Sequence, residues 1–266
     1  MEPVSLIVLL VMGTLAGAIN AAVGSGSLLT LPVLLALGMP PGTAVRTNTV
    51  GILFSTIGST LGYRREIAEE KGNLAPLVLV TALCAGLGSI LLLLSPAEAL
   101  DVVVPVLIVV ALALVIFQKR LTAAIRARQD RRAARAASAP QRSPYRSPGL
   151  VGAMGAASVY GGYFTAAQGI LYLGILGALT GRTMGSVNSI KNLMSLVVNV
   201  AAAAVYVLAH FLIGSEIVWP ATAAIAVGAL LGGYFGAHLA KKLPDWLLRG
   251  IIVVVALVAI VRQITG

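Results

Sequence analysis

Long uncharged stretches dominate this chain, and they alternate with short segments that carry nearly all of its charge. Hydrophobic residues make up 58% of the 266 residues and charged residues 11%, whereas a soluble domain has about 25% charged residues. Too few charged side chains are present to cover a water-facing surface. Uncharged stretches of about 20 residues between charged loops are typical of membrane-spanning helices. The sequence therefore predicts an all-α polytopic membrane protein in a lipid bilayer.

Most of the expected spans are plain apolar runs. They are Leu74 to Leu94, Val102 to Phe117, Gly149 to Leu179, Val187 to Leu212, Ile217 to Leu239 and Trp246 to Val261. Within one of these runs, Gly228, Gly232 and Gly236 recur every four residues. Such a stripe of small residues favours close contact between helices, and we expect that contact to lie within one chain.

The N-terminal run, Pro3 to Gly38, has a polar and glycine-rich stretch at its centre, Asn20 to Ser27. Two complete crossings need about 40 residues, so we expect two short helices joined by non-helical backbone near membrane depth. Such backbone is stable only where protein buries it or where it lines a water-filled cavity. The segment Gly149 to Gly181 repeats this plan around Tyr160 to Gly169.

Local matches indicate that the two halves of the chain are repeats. The motif Gly26 to Leu29 aligns with Gly169 to Tyr172, and the same alignment places Gly38 on Gly181. Each motif is followed by a polar helix start and by further apolar runs. We therefore expect two transmembrane repeats of about five helical segments each, with a broken or re-entrant helix at the start of each half. The predicted domains are a first repeat at 1–118, a basic linker at 119–147 and a second repeat at 148–266.

The positive charge indicates an orientation. Nine of the 19 Lys and Arg residues lie between 119 and 146, and loops rich in Lys and Arg stay in the cytoplasm. The 95–101 and 210–216 connections contain no Lys or Arg and are expected outside. The first half then starts outside and the second inside, so the repeats are inverted and both termini lie outside. This topology accounts for the net charge of +10 without nucleic-acid binding.

Interrupted helices at matching positions of two inverted halves are the best sequence indication of a transporter binding site. The N-terminal ends of half-helices carry free backbone N–H groups and favour anions. The predicted substrate-binding residues of the first half are Asn20, Gly24, Ser25, Gly26, Ser27, Arg46 and Asn48. Those of the second half are Gly162, Tyr163, Thr165, Gln168, Gly169, Asn188, Lys191 and Asn192.

The distribution of charge favours an anionic substrate. Lys191 lies several residues inside an apolar run, where a lysine costs about 2.5–3.5 kcal/mol on insertion scales, so we expect it to face an interior cavity or a partner. All nine Asp and Glu residues lie in loops or at segment ends. No carboxylate is then available for a cation site at mid-membrane. Coupling to H⁺ or Na⁺ and the oligomeric state stay open, and no metal or cofactor is expected.

The stretch from Gly13 to Pro32 resembles the TauE/SafE sulfite exporter family, the four-toluene-sulfonate-uptake type of membrane permease. Tyr160 to Leu171 looks like the second motif of that family, and Ala44 to Asn48 like the start of its next helix. The resemblance implies transport of small sulfur-containing or organic anions, such as sulfite, sulfonates or sulfoacetate, across a bacterial inner membrane. This chain departs from the family pattern at Gly24 to Ser27, where the family has more glycines, and at Ala167, where it often has glycine.

Two alternatives remain at this stage. Broken helices and a lysine suit the pore of a passive anion channel as well as a transporter. An intramembrane enzyme with Ser25 as nucleophile needs a base within hydrogen-bond reach, but His210 and His238 fall at the ends of their segments. No catalytic residue is therefore assigned.

Overall fold

A computed structural model of the chain describes residues 2–70, 74–135 and 144–239. Every regular element in these ranges is helical, which confirms the all-α prediction. The helices are α1 (Pro3–Ala22), α2 (Ser27–Ala36), α3 (Pro41–Gly62), α4 (Arg64–Glu70), α5 (Ala75–Leu94), α6 (Ala97–Arg135), α7 (Pro148–Phe164), α8 (Gln168–Thr180), α9 (Met184–Ile213) and α10 (Trp219–Leu239). A short 3₁₀ turn, Pro144–Arg146, precedes α7.

Five helices of the described ranges are long and apolar enough to cross a membrane: α1, α5, α9, the Ala97–Gln118 part of α6 and the Trp219–Gly236 part of α10. Helices α2 and α8 have only 10 and 13 residues. At 1.5 Å per residue they are about 15 and 20 Å long, short of a hydrocarbon core of about 30 Å. The expected run Trp246 to Val261 lies outside the described residues.

Proline and glycine set many of the helix boundaries. Helices α1, α3 and α7 begin with proline, which is favoured in the first turn because its fixed φ suits a helix and no N–H is lost there. Helices α2, α8 and α9 are followed by Gly38, Gly181 and Gly214, all with positive φ. A left-handed residue just after a helix ends it, and glycine adopts that conformation without a steric cost. Gly38 and Gly181 thus have the equivalent role that their alignment predicts.

The basic segment differs from the expected linker, because its first part continues α6. This helix has 39 residues and ends at Arg135, so it is about 58 Å long and extends well beyond one membrane crossing. Residues 119–135 are rich in Ala and Arg, which are strong helix formers. The connection between α3 and α5 also contains a short helix, α4.

Helices α5 and α10, which hold equivalent places in the two halves, each pack against the other half of the chain. Helix α10 packs on α1 and α3, whereas α5 packs on α7 and α9. The glycine stripe makes the first contact close, since a Cβ added at Gly228 would lie 2.8 Å from the backbone N of Thr14. At Gly88 of α5, a Cβ would lie 2.9 Å from the backbone N of Tyr163. The stripe therefore packs within the chain, as expected, and the two halves make reciprocal contacts. The inverted orientation of the repeats stays a prediction.

Candidate functional site

The two predicted interruptions are present. Residues 23–26 separate α1 from α2, and residues 165–167 separate α7 from α8. In the first, Gly24 has a φ of 84°. In the second, Thr165 and Ala167 have φ values of 65° and 59°, a conformation that non-glycine residues rarely adopt. Helix α1 continues through Ala22, so Asn20 belongs to the helix and not to the break, contrary to the expected extent of the interruption.

The two breaks contact each other at Gly24 and Gly169. The backbone N of Gly169 donates to the carbonyl of Gly24 at 3.2 Å. A Cβ added at Gly24 would lie 2.5 Å from the Cα of Gly169, closer than real side chains come. Both positions thus require glycine because two backbones meet there. The structure therefore brings together the two predicted motifs, which are far apart in the sequence.

Hydroxyl and amide side chains surround this meeting point. The hydroxyls of Thr49 and Thr165 share a hydrogen bond of 2.9 Å, which joins α3 to the second break. The Asn20 side chain donates to the Ser55 hydroxyl at 3.1 Å. Thr30 of α2 donates to the Asn48 side chain. These bonds hold polar groups of both halves at the centre of an apolar bundle.

Several polar atoms near the breaks are buried without a hydrogen-bond partner in the described structure. Ser25 Oγ and Gln168 Oε1 are two of them, one at each break. Others lie on α3 and α9: Asn48 Nδ2, Asn188 Oδ1, Ser195 Oγ and Asn199 Oδ1. A buried polar atom without a partner costs about 1–3 kcal/mol. The N-termini of α2 and α8 also lack a side-chain cap, so this region offers polar groups to a ligand or to water.

Lys191 is buried at 0% exposure, as its expected interior position requires. Its ammonium donates to the carbonyls of Asn20 and Ala21, each at 3.3 Å, and Asn192 Nδ2 donates to Ala21 at 3.4 Å. These carbonyls form the C-terminal end of α1, where the helix dipole favours a cation. Among the described residues no carboxylate pairs with Lys191. Two of its three N–H groups have acceptors, so one is left for a further acceptor.

Four of the predicted residues bind elsewhere than the meeting point. The Gly162 carbonyl accepts hydrogen bonds from Tyr206 at 2.7 Å and from Ser89 at 3.1 Å. Tyr163 shares a hydrogen bond with Ser95 at 3.1 Å. Asn188 donates to Tyr63 at 2.9 Å, and Arg46 Nε donates to the carbonyl of Glu216 at 3.0 Å.

The remaining predicted residue of the first break, Gly26, faces α1. A Cβ there would lie 2.9 Å from the Cβ of Asn20, so Gly26 allows α2 to fold back closely on α1. The neighbouring Ser27 is buried at the first position of α2. Gly26 therefore belongs to the first break, whereas Ser27 is the first residue of α2. Contact of either residue with a substrate stays a prediction.

Three residues that the prediction omitted belong to the site. Thr49 bonds Thr165 of the second break, and Ser55 accepts a hydrogen bond from Asn20 at the end of α1. Tyr160 donates from its hydroxyl to the carbonyl of Ala166 at 2.8 Å. Thr49 and Ser55 follow the predicted residue Asn48 on the same helix, α3, and that nearness was a usable signal. Nothing in the sequence indicates the backbone acceptor of Tyr160.

Long apolar helices around two interrupted helices that meet at the centre define a polytopic membrane protein of the transporter class. A profile of the family described as "Sulfite exporter TauE/SafE" matches residues 9–262. The chain belongs to this family.

The relatives of known sequence carry names of the same class. "Probable membrane transporter protein YfcA" of Escherichia coli strain K12 is 27% identical over 261 residues, which are 97% of this chain and 88% of that protein. A "Probable membrane transporter protein" of Haemophilus influenzae is 24% identical over 259 residues, 97% of this chain and 94% of that protein. No solved structure matches the chain. The protein is therefore a membrane transporter of this family and not an enzyme.

Proposed function

We propose that the protein transports small anions, of the sulfite, sulfonate or related organosulfur and organic class, by alternating access at a site between its two repeats. The observation that carries this proposal is the meeting of the two interrupted helices at Gly24 and Gly169. Broken helices at the repeat interface are where secondary transporters bind their substrates. The family to which the chain belongs is described as a sulfite exporter family, which supports the substrate class.

The charges around this site favour an anion over a cation. The N-terminal ends of α2 and α8 carry positive partial charge and have no side-chain cap. The Lys191 ammonium is buried nearby, with one N–H group left. A sulfite or sulfonate group presents oxygen acceptors around a negative charge, which suits such donors. The Glu70 carboxylate is paired with Arg182 at 3.2 Å, so its negative charge does not oppose the anion.

The proposed setting is a bacterial inner membrane, with the 119–147 segment in the cytoplasm and both termini outside. The positive residues of α4, Arg64 and Arg65, would then lie on the same side as that segment, in keeping with the bias of Lys and Arg toward the cytoplasm. A coupled ion, H⁺ or Na⁺, accounts for net transport against a gradient. A homo-oligomer is compatible with this proposal, but the proposed site is formed within one chain.

Flux of radiolabelled sulfite and sulfonates into proteoliposomes tests the function. We expect saturable uptake that shows counterflow when the vesicles contain the unlabelled anion, because an alternating-access site carries one substrate at a time. An imposed pH gradient, applied or omitted, separates H⁺ coupling from exchange. Uptake that neither saturates nor shows counterflow would support the passive channel instead, and no flux for the whole panel would refute the substrate class.

A further inference from the structure

Two clusters of polar side chains lie at opposite ends of α3. The first, which we name the α3 latch, consists of Thr43, Arg46 and Glu216. Arg46 Nε donates to the Glu216 carbonyl at 3.0 Å, and Arg46 Nη2 donates to Thr43 Oγ1 at 3.1 Å. Thr43 Oγ1 in turn donates to Glu216 Oε2 at 3.3 Å. This cluster fastens the start of α3 to the connection between α9 and α10.

The second cluster, which we name the α9 latch, consists of Glu70, Arg182 and Ser186. Arg182 Nη2 lies 3.2 Å from Glu70 Oε2, and Ser186 Oγ donates to Glu70 Oε1 at 2.8 Å. Tyr145 lies beside this cluster, and its burial raises the pKa of its hydroxyl above the usual value. The phenol is therefore neutral at pH 7 and adds no charge. This latch fastens the start of α9 to α4, which follows the other end of α3.

The two latches have a similar composition at equivalent places of the two halves, although Arg46 bonds the backbone carbonyl of its glutamate and Arg182 pairs with the carboxylate. Helices α3 and α9 hold equivalent places in the two halves. In each latch, a glutamate that follows one of these helices contacts an arginine and a hydroxyl at the start of the other. Glu70 follows α3 and contacts the start of α9, whereas Glu216 follows α9 and contacts the start of α3. Each latch therefore joins one half of the chain to the other.

The central meeting point lies between the latches. Helix α3 has 22 residues and is about 33 Å long. From one end it carries first the α3 latch at Thr43 and Arg46 and then Thr49, which contacts the second break. On α9, Ser186 of the α9 latch is followed by Lys191, which contacts the end of α1. Along α3 and α9, the latches therefore lie on either side of the residues that contact the two breaks.

We propose that the α3 latch and the α9 latch are the two gates of the transport cycle, and that they open alternately. This inference rests on the proposed alternating access at the central site. Both gates are closed in the structure, which then corresponds to an occluded state. Motion of one half against the other separates one latch while the second holds, because each latch spans the two halves. Glu216, Glu70 and Arg182 are thus gating residues, and Arg46 belongs to a gate and not to the substrate site.

The energetics suit gates that open in every cycle. The side chains of Arg182 and Glu70 are 37% and 13% exposed, and partly exposed ion pairs contribute little to stability. Removal of one latch should therefore change the population ratio of the two open states by up to about fivefold without unfolding the bundle.

The test is thiol labelling of the full chain in liposomes, with Cys84 replaced by serine. Thr60→Cys reports on the α9 latch side, since Thr60 Oγ1 donates to the Asn192 carbonyl at 3.4 Å. Thr47→Cys reports on the α3 latch side, since Thr47 Oγ1 accepts from the backbone N of Val218 at 3.1 Å. Each reporter is reacted with a membrane-impermeant maleimide from its own side, and the labelling rate is measured.

Glu70→Ala is expected to raise the labelling rate of Thr60→Cys by up to about fivefold and to lower that of Thr47→Cys. Arg46→Ala, which removes both Arg46 hydrogen bonds of the α3 latch, is expected to do the reverse. Glu69→Ala is the matched control, because Glu69 is exposed on the same helix as Glu70. The charge swap of Glu70→Arg with Arg182→Glu should restore the wild-type rates where either single change alters them.

Non-reciprocal labelling, or changes no larger than those of Glu69→Ala, would overturn the gates. If a single variant fails to insert into the membrane, the charge-swap variant is used for the test instead. Labelling rates of the charge-swap variant that differ from the wild-type rates would also overturn the proposal. Anion flux by the wild type is scored separately. Normal flux with non-reciprocal labelling contradicts the gates, whereas reciprocal labelling without flux supports the gates and contradicts the anion substrate.

Discussion

A methyl group added at Gly24 would disturb a close backbone contact between the two halves of the transporter. Gly24 has a φ of 84°, and a Cβ there would lie 2.5 Å from the Cα of Gly169. Gly24→Ala therefore combines two penalties, a left-handed alanine and a backbone clash. Two other glycines separate these penalties. Gly38 has a φ of 83° and nothing within 4 Å of its Cβ position, whereas Gly169 has the clash with Gly24 without a positive φ.

The expected magnitudes follow from these contacts. A left-handed alanine costs about 1–2 kcal/mol, and an added carbon in a packed core about 1–3 kcal/mol. Gly38→Ala should therefore lower the free energy of unfolding by about 1–2 kcal/mol and Gly24→Ala by about 2–5 kcal/mol. For Gly169→Ala, the clash of about 1–3 kcal/mol is partly offset by a gain of about 1 kcal/mol in helix propensity.

Reversible unfolding of the purified variants in mixed detergent micelles, followed by circular dichroism, measures these differences. The expected order of destabilisation places Gly24→Ala first. If Gly24→Ala costs no more than Gly38→Ala, the backbones of the two breaks do not meet as described. Anion flux of the same variants shows whether the contact also serves transport, and we expect Gly38→Ala to retain wild-type flux.

Two further variants test the second break by the same unfolding measurement. Ala167 has a φ of 59°, so Ala167→Gly relieves a strain of about 1 kcal/mol and should not destabilise the protein. Ala166 is buried without a positive φ, so Ala166→Gly should lower the free energy of unfolding. Equal losses of stability at both positions would contradict the described backbone. The hydroxyls of Thr49 and Thr165 are 2.9 Å apart. The double-mutant cycle of Thr49→Val and Thr165→Val should therefore give a coupling energy of about 0.5–1.5 kcal/mol. Additive effects of the two substitutions would show that the hydrogen bond is absent.

Most of the fold could be predicted because apolar length and glycine placement are local properties of the sequence. The run Leu74 to Leu94 became α5, Ala75–Leu94, almost unchanged. The two interruptions were predicted from glycine and polar residues inside apolar runs. The helical continuation of α6 to Arg135 was missed, since high net charge was taken as the sign of a loop although Ala and Arg favour helix.

The site could be predicted only in part, because its contacts join distant segments. The sequence indicated Lys191 as an interior cation, but its partners are the carbonyls of Asn20 and Ala21, and backbone acceptors leave no trace in side-chain identity. The hydrogen bond from Arg46 to the carbonyl of Glu216, 170 residues further along the chain, was likewise not foreseen. Periodicity and spacing describe single helices and carry no information on which helix ends meet.

The most direct test of the anion site is equilibrium binding of radiolabelled sulfite and sulfonates to the purified protein, compared between the wild type and Lys191→Gln. Glutamine can still donate to the carbonyls at the end of α1 but has no charge. Loss of a charge-assisted hydrogen bond costs about 1.5–3 kcal/mol, so the Kd should rise by roughly 10- to 150-fold. Arg64→Gln, at an exposed position of α4, should leave the Kd unchanged. An unchanged Kd for Lys191→Gln would contradict the proposal that the buried ammonium and the two broken helices form one anion site.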